Sequence, residues 1–284
     1  MEEHDKFKPS NDANEINPSN DKEEKTNLNS ENEEGEIASE EDVPFEERNE
    51  ELVWLAQKVN QIRLKLGDYI IGQEEMVELL MTGIFSAGHI LLEGVPGVAK
   101  TLSAKVLSKA LDIGFSRIQF TPDLMPSDVI GTSVFDMKQS TFSFKKGPIF
   151  SNIVLIDEIN RAPAKTQAAL FEVMEERQIT YDGINYQMDF PFLVIATQNP
   201  IEQEGTYNLP EAQLDRFLFK INLTYPTVEN EVRILHRYKK NIQSPSLDSI
   251  KAVITAEDIR KVQQMVKDIV VEDTLINYVA QLID

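Results

Sequence analysis

The feature that most constrains this chain is a glycine-rich loop between a short apolar run, residues 89–92, and a helical pattern that extends through Leu111. The loop consists of Glu93, Gly94, Val95, Pro96, Gly97, Val98, Ala99, Lys100 and Thr101. A strand, a glycine loop and a helix in this order turn backbone N–H groups toward the phosphates of a nucleotide, and the helix N-terminus adds partial positive charge. The sequence therefore predicts a phosphate loop in which Lys100 reaches the phosphates and the Thr101 hydroxyl binds Mg²⁺.

One position departs from the general pattern G-x-x-x-x-G-K-[ST], because Ala99 stands where the second glycine is required. Taken alone, the loop therefore also fits a Gly-Pro turn ahead of an amphipathic helix, with Lys100 merely solvated. Just upstream, Ile70 and Ile71 are placed either to pack against a purine ring or to join the core. Stretches further along the chain favour the phosphate loop.

Polar residues follow two later apolar runs, where the predicted strands end. Asp157 and Glu158 follow residues 153–156, and Asn199 comes shortly after residues 192–196. Open α/β sheets bind ligands at the carboxyl ends of their strands, so we expect these side chains near the loop. Asp157 is expected to hold Mg²⁺ through water, and Glu158 to orient and deprotonate the attacking water. Asn199 is expected to bind that water and the γ-phosphate together.

A candidate arginine, Arg216, stands just before the last predicted strand, in the stretch 209–217. We expect it to lie too far along the sheet for its own nucleotide and to face a neighbouring subunit. An arginine supplied in trans neutralises charge on the transferred phosphoryl group and contributes roughly 10³- to 10⁵-fold in rate. The alternative is a surface salt bridge with Asp215 or Glu211, which contributes under about 1 kcal/mol.

The order of predicted elements indicates an α/β fold. Apolar periodicity predicts a first helix over residues 49–66, and five strands that alternate with helices are predicted at 89–92, 115–120, 153–156, 192–196 and 217–221. Two pairs of β-prone runs, 132–144 and 178–186, are predicted as hairpins, the second with a type I′ turn at Asp182-Gly183. These elements predict a mainly parallel five-stranded sheet flanked by helices, in a domain over residues 49–225.

Helical patterns fill the remainder, residues 226–284, and predict an all-α lid. One of these helices has a capping signal at Thr255 and Asp258. The chain stops at Asp284 inside a helical pattern, so we expect the lid to be partial.

The charge of the chain is concentrated at its beginning. Of the net charge of −20, residues 1–50 contribute 18 acidic and 5 basic residues, a net of −13. Few apolar residues occur there and they show no period, so residues 1–48 are predicted to be a disordered acidic tail. We expect a solubilising leader, with binding to a basic partner as the alternative.

Composition also restricts metals, partners and compartment. The chain has no Cys and only three His, far apart, which excludes disulfides and a thiolate or zinc cluster, so any metal should be oxygen-bound Mg²⁺. Negative charge and the lack of a basic stripe argue against nucleic acid as a partner. Neither a leader pattern at the N-terminus nor an apolar run of spanning length occurs, so we expect no direct membrane insertion and a cytoplasmic location.

Four stretches together resemble the MoxR family of AAA+ ATPases, in its helix-2-insert group, from about Glu51 to the end. They are Gly94–Thr101, Asp157–Ala162, Ala196–Pro200 and Leu209–Phe217. The resemblance implies that Ala99 is acceptable in the loop and that the hairpin over residues 132–144 is the insert. The resemblance also implies which residues bind ATP: Ile71, Gly94, Val95, Pro96, Gly97, Val98, Ala99, Lys100, Thr101 and Leu102. It implies that Thr101 and Asp157 bind Mg²⁺.

The same resemblance implies a ring-forming, hexameric ATPase that acts as a chaperone in the assembly or maturation of client proteins, together with a partner that carries a von Willebrand A domain. Two departures from the family are apparent. The acidic tail lies outside the family core, and the chain ends before the segment expected to supply a sensor-2 arginine. The missing segment leaves open a nucleotide-gated scaffold with little turnover. A nucleic-acid motor of the same superfamily is the other alternative, which the negative charge and the lack of a basic stripe disfavour.

Overall fold

A computed structural model describes residues 45–138, 140–200, 206–240 and 246–283. In these ranges the α-helices are α1 (Phe45–Gly67), α2 (Glu74–Phe85), α3 (Lys100–Ala110), α4 (Pro126–Ile130), α5 (Ala164–Glu176), α6 (Glu211–Leu214), α7 (Val228–Lys240), α8 (Ala256–Lys267) and α9 (Asp273–Ile283). The strands are β1 (His89–Gly94), β2 (Phe115–Gln119), β3 (Gly131–Asp136), β4 (Thr141–Lys146), β5 (Ile153–Asp157), β6 (Gln178–Tyr181), β7 (Ile184–Gln187), β8 (Leu193–Gln198) and β9 (Phe217–Leu223). Short 3₁₀ turns lie at Ile159–Arg161 and Leu247–Ser249.

Five strands form the central sheet in the order β2-β5-β8-β1-β9, and every neighbouring pair is parallel. This confirms the predicted five-stranded parallel sheet. The order in space differs from the order in the chain, because β1 pairs with β8 and β9 rather than with β2. All five strands therefore end at one edge, where the loops after β1, β5 and β8 come together.

Apolar residues of the inner strands alternate between two cores, one on each face of the sheet. Ile90 of β1 packs in the core beneath α1, α2, α3 and α8, whereas Leu91 packs in the core beneath α4 and α5. Both side chains are fully buried. Strands covered on both faces need continuous apolar sequence, which explains the runs at β1, β5 and β8. Each fully buried aliphatic side chain contributes about 1.5 to 3 kcal/mol relative to exposure.

The two predicted hairpins form as separate two-stranded sheets, β3 with β4 and β6 with β7. Asp182 and Gly183 both have positive φ, 49° and 75°, as the predicted type I′ turn requires. The hairpins contact each other, because the Phe144 ring lies 4.8 Å from that of Tyr181 and 4.5 Å from that of Tyr186. The insert hairpin is thus fixed at its base by aromatic packing.

The first helix lies against the last part of the chain. α1 begins at Phe45 rather than at residue 49, and the rest of the predicted tail, residues 1–44, lies outside the described residues. The Trp54 ring of α1 lies 5.5 Å from the Lys261 ammonium of α8, which also forms a 2.8 Å ion pair with Glu51. The predicted capping box is present at the start of α8, where Thr255 and Asp258 cap each other's backbone N–H.

Within the described ranges, no helix combines the length and the apolar character needed to cross a bilayer.

Candidate active site

The glycine loop joins β1 to α3 with backbone conformations that depend on its small residues. A Cβ atom on Gly94 would lie 2.5 Å from the Leu223 carbonyl oxygen of β9, so a side chain is excluded there. Gly97 and Ala99 both have left-handed backbones, with φ of 87° and 60°. An L-residue in this conformation costs roughly 1 to 2 kcal/mol relative to its favoured regions, which is why the general pattern has glycine at position 99. Alanine is small enough for the turn to form.

A cavity of about 440 Å³ opens between this loop and the carboxyl ends of β5 and β8. Its lining includes most of the residues that the sequence predicts, namely Gly94, Pro96, Gly97, Ala99, Lys100, Thr101, Leu102, Asp157, Glu158 and Asn199. Val98 is buried and Val95 is partly buried, and both pack against the core beneath α1 and α2, so they shape the loop with their side chains. The structure thus brings together residues up to about a hundred positions apart in sequence.

Lys100 extends along the loop from the first turn of α3. Its ammonium donates a 2.6 Å hydrogen bond to the Gly94 carbonyl oxygen. Burial lowers the pKa of Lys100 below its ordinary value, while the carboxylates of Asp157, Glu158 and Glu93 act in the opposite direction. The ammonium therefore lies in a partly desolvated cavity, where its attraction for an anion is stronger than in water.

Asp157 ends β5 and is buried, with 8% of its surface exposed. Arg117 of the neighbouring strand β2 donates from Nε to Asp157 Oδ2 at 2.5 Å. The Thr197 hydroxyl on β8 donates to Oδ1 at 3.3 Å. Both carboxylate oxygens are thereby fixed from the two flanking strands.

Glu158 follows directly and has a left-handed backbone, with φ of 58° and ψ of 53°. Its N–H donates to the Thr197 hydroxyl at 3.0 Å, which stabilises this conformation. Its carboxylate accepts a 2.8 Å hydrogen bond from Gln119 Nε2 and forms a 3.0 Å ion pair with Arg161. Strained backbone of this kind at the rim of a cavity is typical of residues that a function requires in one orientation.

The oxygen atoms of this cavity fit Mg²⁺. The Thr101 hydroxyl and the Asp157 carboxylate line the same space, and both are hard oxygen ligands of the type that Mg²⁺ prefers. In the described part of the chain, no three His, Cys, Asp or Glu side chains gather into a metal cluster. A metal held by so few protein oxygens needs further ligands from phosphate and water, which is the usual arrangement for Mg²⁺ with a nucleotide.

A second cavity, of about 270 Å³, lies on the other side of the same loop. It is mainly apolar, and its walls are contributed by the segment before α2, by the loop and α3, and by α7 with Leu247 from the helical C-terminal part. The lining residues are Tyr69, Ile70, Ile71, Gly97, Ala99, Leu102, Ile234, Arg237, Tyr238 and Leu247. Gly97 and Ala99 belong to both cavities, so a ligand with an apolar ring and a phosphate chain would span the loop. Of the pair placed by sequence either beside a purine or in the core, both Ile70 and Ile71 line this cavity, and Ile70 is also buried in the core. Contact with a purine stays a prediction.

Comparison with known proteins identifies relatives of this chain. The model of the ATPase family associated with various cellular activities (AAA) matches residues 89–219. Chaperone MoxR1 of Mycobacterium tuberculosis is 47% identical over 214 residues, which is 75% of this chain and 55% of that protein. A crystal structure of an inferred ATPase from Cytophaga hutchinsonii is 44% identical with a TM-score of 0.76, covering 84% of this chain and 71% of that one. The chain belongs to the MoxR family of AAA+ ATPases.

Another relative of this MoxR-family chain is the uncharacterised protein YeaC of Bacillus subtilis, 45% identical over 75% of this chain and 66% of that protein. The chain thus spans between about half and two thirds of the length of these two relatives.

Arg216 of the MoxR chain lies outside both cavities, just after α6. It forms an exposed ion pair with Glu175 near the end of α5, and not with Asp215 or Glu211 as the alternative from sequence proposed. Its role in a neighbouring site stays a prediction.

Sequence patterns did not identify three polar residues that line the MoxR site. Arg117 and Gln119 belong to β2, and Thr197 belongs to β8. The alternation of polar and apolar residues in β2 was the available signal, since Arg117, Ile118 and Gln119 place two long polar side chains on one face. Only the strand order shows that this face lies beside Asp157.

Proposed function

We propose that this chain binds ATP with Mg²⁺ and hydrolyses it to ADP and phosphate. The observation that carries the proposal is the convergence of Lys100, Thr101, Asp157, Glu158 and Asn199 on one cavity at the carboxyl edge of the sheet. Membership of the MoxR family supports nucleotide binding in general. The adjoining apolar cavity has the character expected for the base.

Each residue of the site would have a separate task. Lys100 and the N–H groups of the loop bind the β- and γ-phosphates, while Thr101 and Asp157 hold Mg²⁺, which when bound neutralises charge on the phosphates. Glu158 orients a water molecule for in-line attack and accepts its proton. Asn199 hydrogen-bonds the same water and the γ-phosphate, and so responds to the nucleotide that is present.

We further propose that the protein acts as a homo-oligomeric ring, with six subunits as the expected number. In such a ring Arg216 would leave Glu175 and approach the nucleotide of the neighbouring subunit, where it neutralises charge in the transition state. The ring would act as a chaperone in the assembly or maturation of client proteins, in the cytoplasm. The name of the relative MoxR1 supports the chaperone role, and a partner with a von Willebrand A domain follows from the family resemblance alone.

The replacement Lys100→Ala tests the nucleotide site. We expect affinity for ATP to fall by roughly 100-fold, because a charged donor to the phosphates is lost from a partly buried position. Isothermal titration with Mg²⁺ and ATP gives the dissociation constant. Lys109→Ala is the matched control, since Lys109 is an exposed lysine in the last turn of the same helix. Equal affinity of the Lys100→Ala and Lys109→Ala variants for ATP would contradict the assignment.

A further inference from the structure

Asp157, which the proposed function assigns to Mg²⁺, forms an ion pair with Arg117. Asp157 is almost fully buried, and a buried carboxylate is costly unless a cation compensates its charge. Arg117 supplies that cation through a 2.5 Å hydrogen bond from Nε to Oδ2. The carboxylate that would hold Mg²⁺ is therefore already paired, at Oδ2, with an internal positive group.

Arg117 is attached in a way that allows this contact to be broken. Its backbone lies in β2 opposite Leu155 of β5, and its side chain lines the cavity beside the glycine loop with about 50% of its surface exposed. Because half of the side chain is exposed, the guanidinium can leave Asp157 without displacing buried residues of the sheet. Arg117 Nη2 also donates a longer 3.4 Å hydrogen bond to Gln119 Oε1, which gives it a second contact on the same face of β2.

We propose that Arg117 is a positioning residue that holds Asp157 before metal binds and competes with Mg²⁺ for the same carboxylate. The inference rests on the proposed function, because it requires the nucleotide and Mg²⁺ to bind in this cavity. Arg117 thereby sets how strongly nucleotide affinity depends on Mg²⁺.

The charges in the cavity determine the direction of the effect. Without metal, Arg117 neutralises Asp157, so the phosphates of a free nucleotide meet no net repulsion from this pair. When Arg117 is replaced by a neutral residue, Asp157 repels the phosphates and metal-free binding weakens. Mg²⁺ then meets an uncompensated carboxylate with no competing cation, so binding with metal is retained or tightened. Removing one unit charge at the edge of a partly desolvated cavity should raise the ratio of nucleotide affinity with Mg²⁺ to nucleotide affinity without it at least about tenfold.

The experiment measures that ratio. A fluorescent, non-hydrolysable ATP analogue is titrated into the full chain in excess Mg²⁺ and in EDTA, for the wild type, Arg117→Met and Arg117→Lys. We expect the ratio of dissociation constants, EDTA over Mg²⁺, to rise at least about tenfold in Arg117→Met and to stay within about threefold in Arg117→Lys, which keeps the charge. Arg63→Met is the matched control, because it removes a surface ion pair with Glu78, and neither residue lines the candidate cavities. Circular dichroism verifies folding, and Arg117→Gln takes the place of Arg117→Met if the latter does not fold.

Two results would overturn the inference. An unchanged ratio in the neutral variant would show that Arg117 has a structural role only, and an equal loss of affinity in both conditions would show that it binds the phosphates directly. A wild-type chain that fails to bind the analogue in Mg²⁺ would instead refute the proposed function. The two failures are distinguished by the wild-type titration alone.

Discussion

At the scale of single residues, the left-handed backbone of Ala99 has a small local energetic cost near the end of the glycine loop. Its φ is 60° and its ψ is 19°, a conformation that glycine adopts freely and alanine adopts with strain. Its carbonyl oxygen accepts hydrogen bonds from the backbone N–H of Ser103 and from the Ser103 hydroxyl. These bonds keep the turn in place with alanine at this position.

We predict that Ala99→Gly changes the free energy of unfolding by no more than about 1 kcal/mol and preserves ATP binding. Glycine removes the strain in the folded state but adds entropy to the unfolded chain, and these effects are of similar size. Ala99→Val is expected to lose both stability and affinity, because a β-branched residue fits positive φ poorly. Urea unfolding and nucleotide titration measure both quantities. If the valine variant behaved like the wild type, the loop could not require this conformation.

At the scale of helices and strands, His89 connects three elements at the edge of the sheet opposite the candidate site. Its Nδ1 accepts a 3.0 Å hydrogen bond from the Val194 N–H of β8, so its proton lies on Nε2, which donates to the Met174 carbonyl oxygen of α5 at 3.1 Å. Burial lowers the pKa of His89 to about 4, the hydrogen bond to Met174 opposes this shift, and the nearby charge of Arg177 adds to it. The folded protein therefore keeps this histidine neutral.

This arrangement predicts a stability that depends on pH. As the pH falls through 6.5, the unfolded chain binds a proton at His89 and the folded chain does not do so until about pH 4. The contribution of neutral His89 to the free energy of unfolding is thus complete above about pH 6.5. It is lost as the pH falls toward 4, and the total loss is about 3 kcal/mol. Between pH 7 and pH 5, the free energy of unfolding measured with urea should fall less in His89→Asn than in the wild type. The asparagine side-chain oxygen can still accept the hydrogen bond from the Val194 N–H. His236→Asn, at an exposed position of α7, is the control. Equal pH dependence in wild type and His89→Asn would contradict the prediction.

Sequence patterns predicted the strands of the central sheet and both hairpins because burial on two faces and Asp-Gly turn chemistry leave local signals. They did not predict α4 (Pro126–Ile130) or α6 (Glu211–Leu214), since helices of one turn carry too few residues to show a period. The sequence predicted those residues of the candidate site that directly follow a strand or form the glycine loop. Arg117 was missed because its contact with Asp157 depends on β2 lying beside β5, a pairing that chain order does not specify.

At the scale of the whole molecule, an active site shared between subunits can be tested by mixing two inactive variants. We predict that Glu158→Gln and Arg216→Ala each bind ATP but hydrolyse it very slowly, and that their mixture recovers measurable turnover. Recovery is expected because an Arg216→Ala subunit keeps its Glu158 and can receive the arginine of a Glu158→Gln neighbour. Phosphate release is measured against protein concentration, with subunit exchange verified separately. If Arg216 serves only its ion pair with Glu175, the Arg216→Ala variant should hydrolyse ATP at nearly the wild-type rate.

The contact between α1 and α8 contains an intrinsic fluorescent probe, Trp54. Trp54 is the one tryptophan in 284 residues, so indole fluorescence comes from a single place in the chain. Its indole ring lies beside the Lys261 ammonium, and the colour and intensity of indole emission depend on such nearby charges. Any displacement of α8 from α1 would therefore be visible in the spectrum without an added dye. Stopped-flow fluorescence could follow it on the timescale of nucleotide addition.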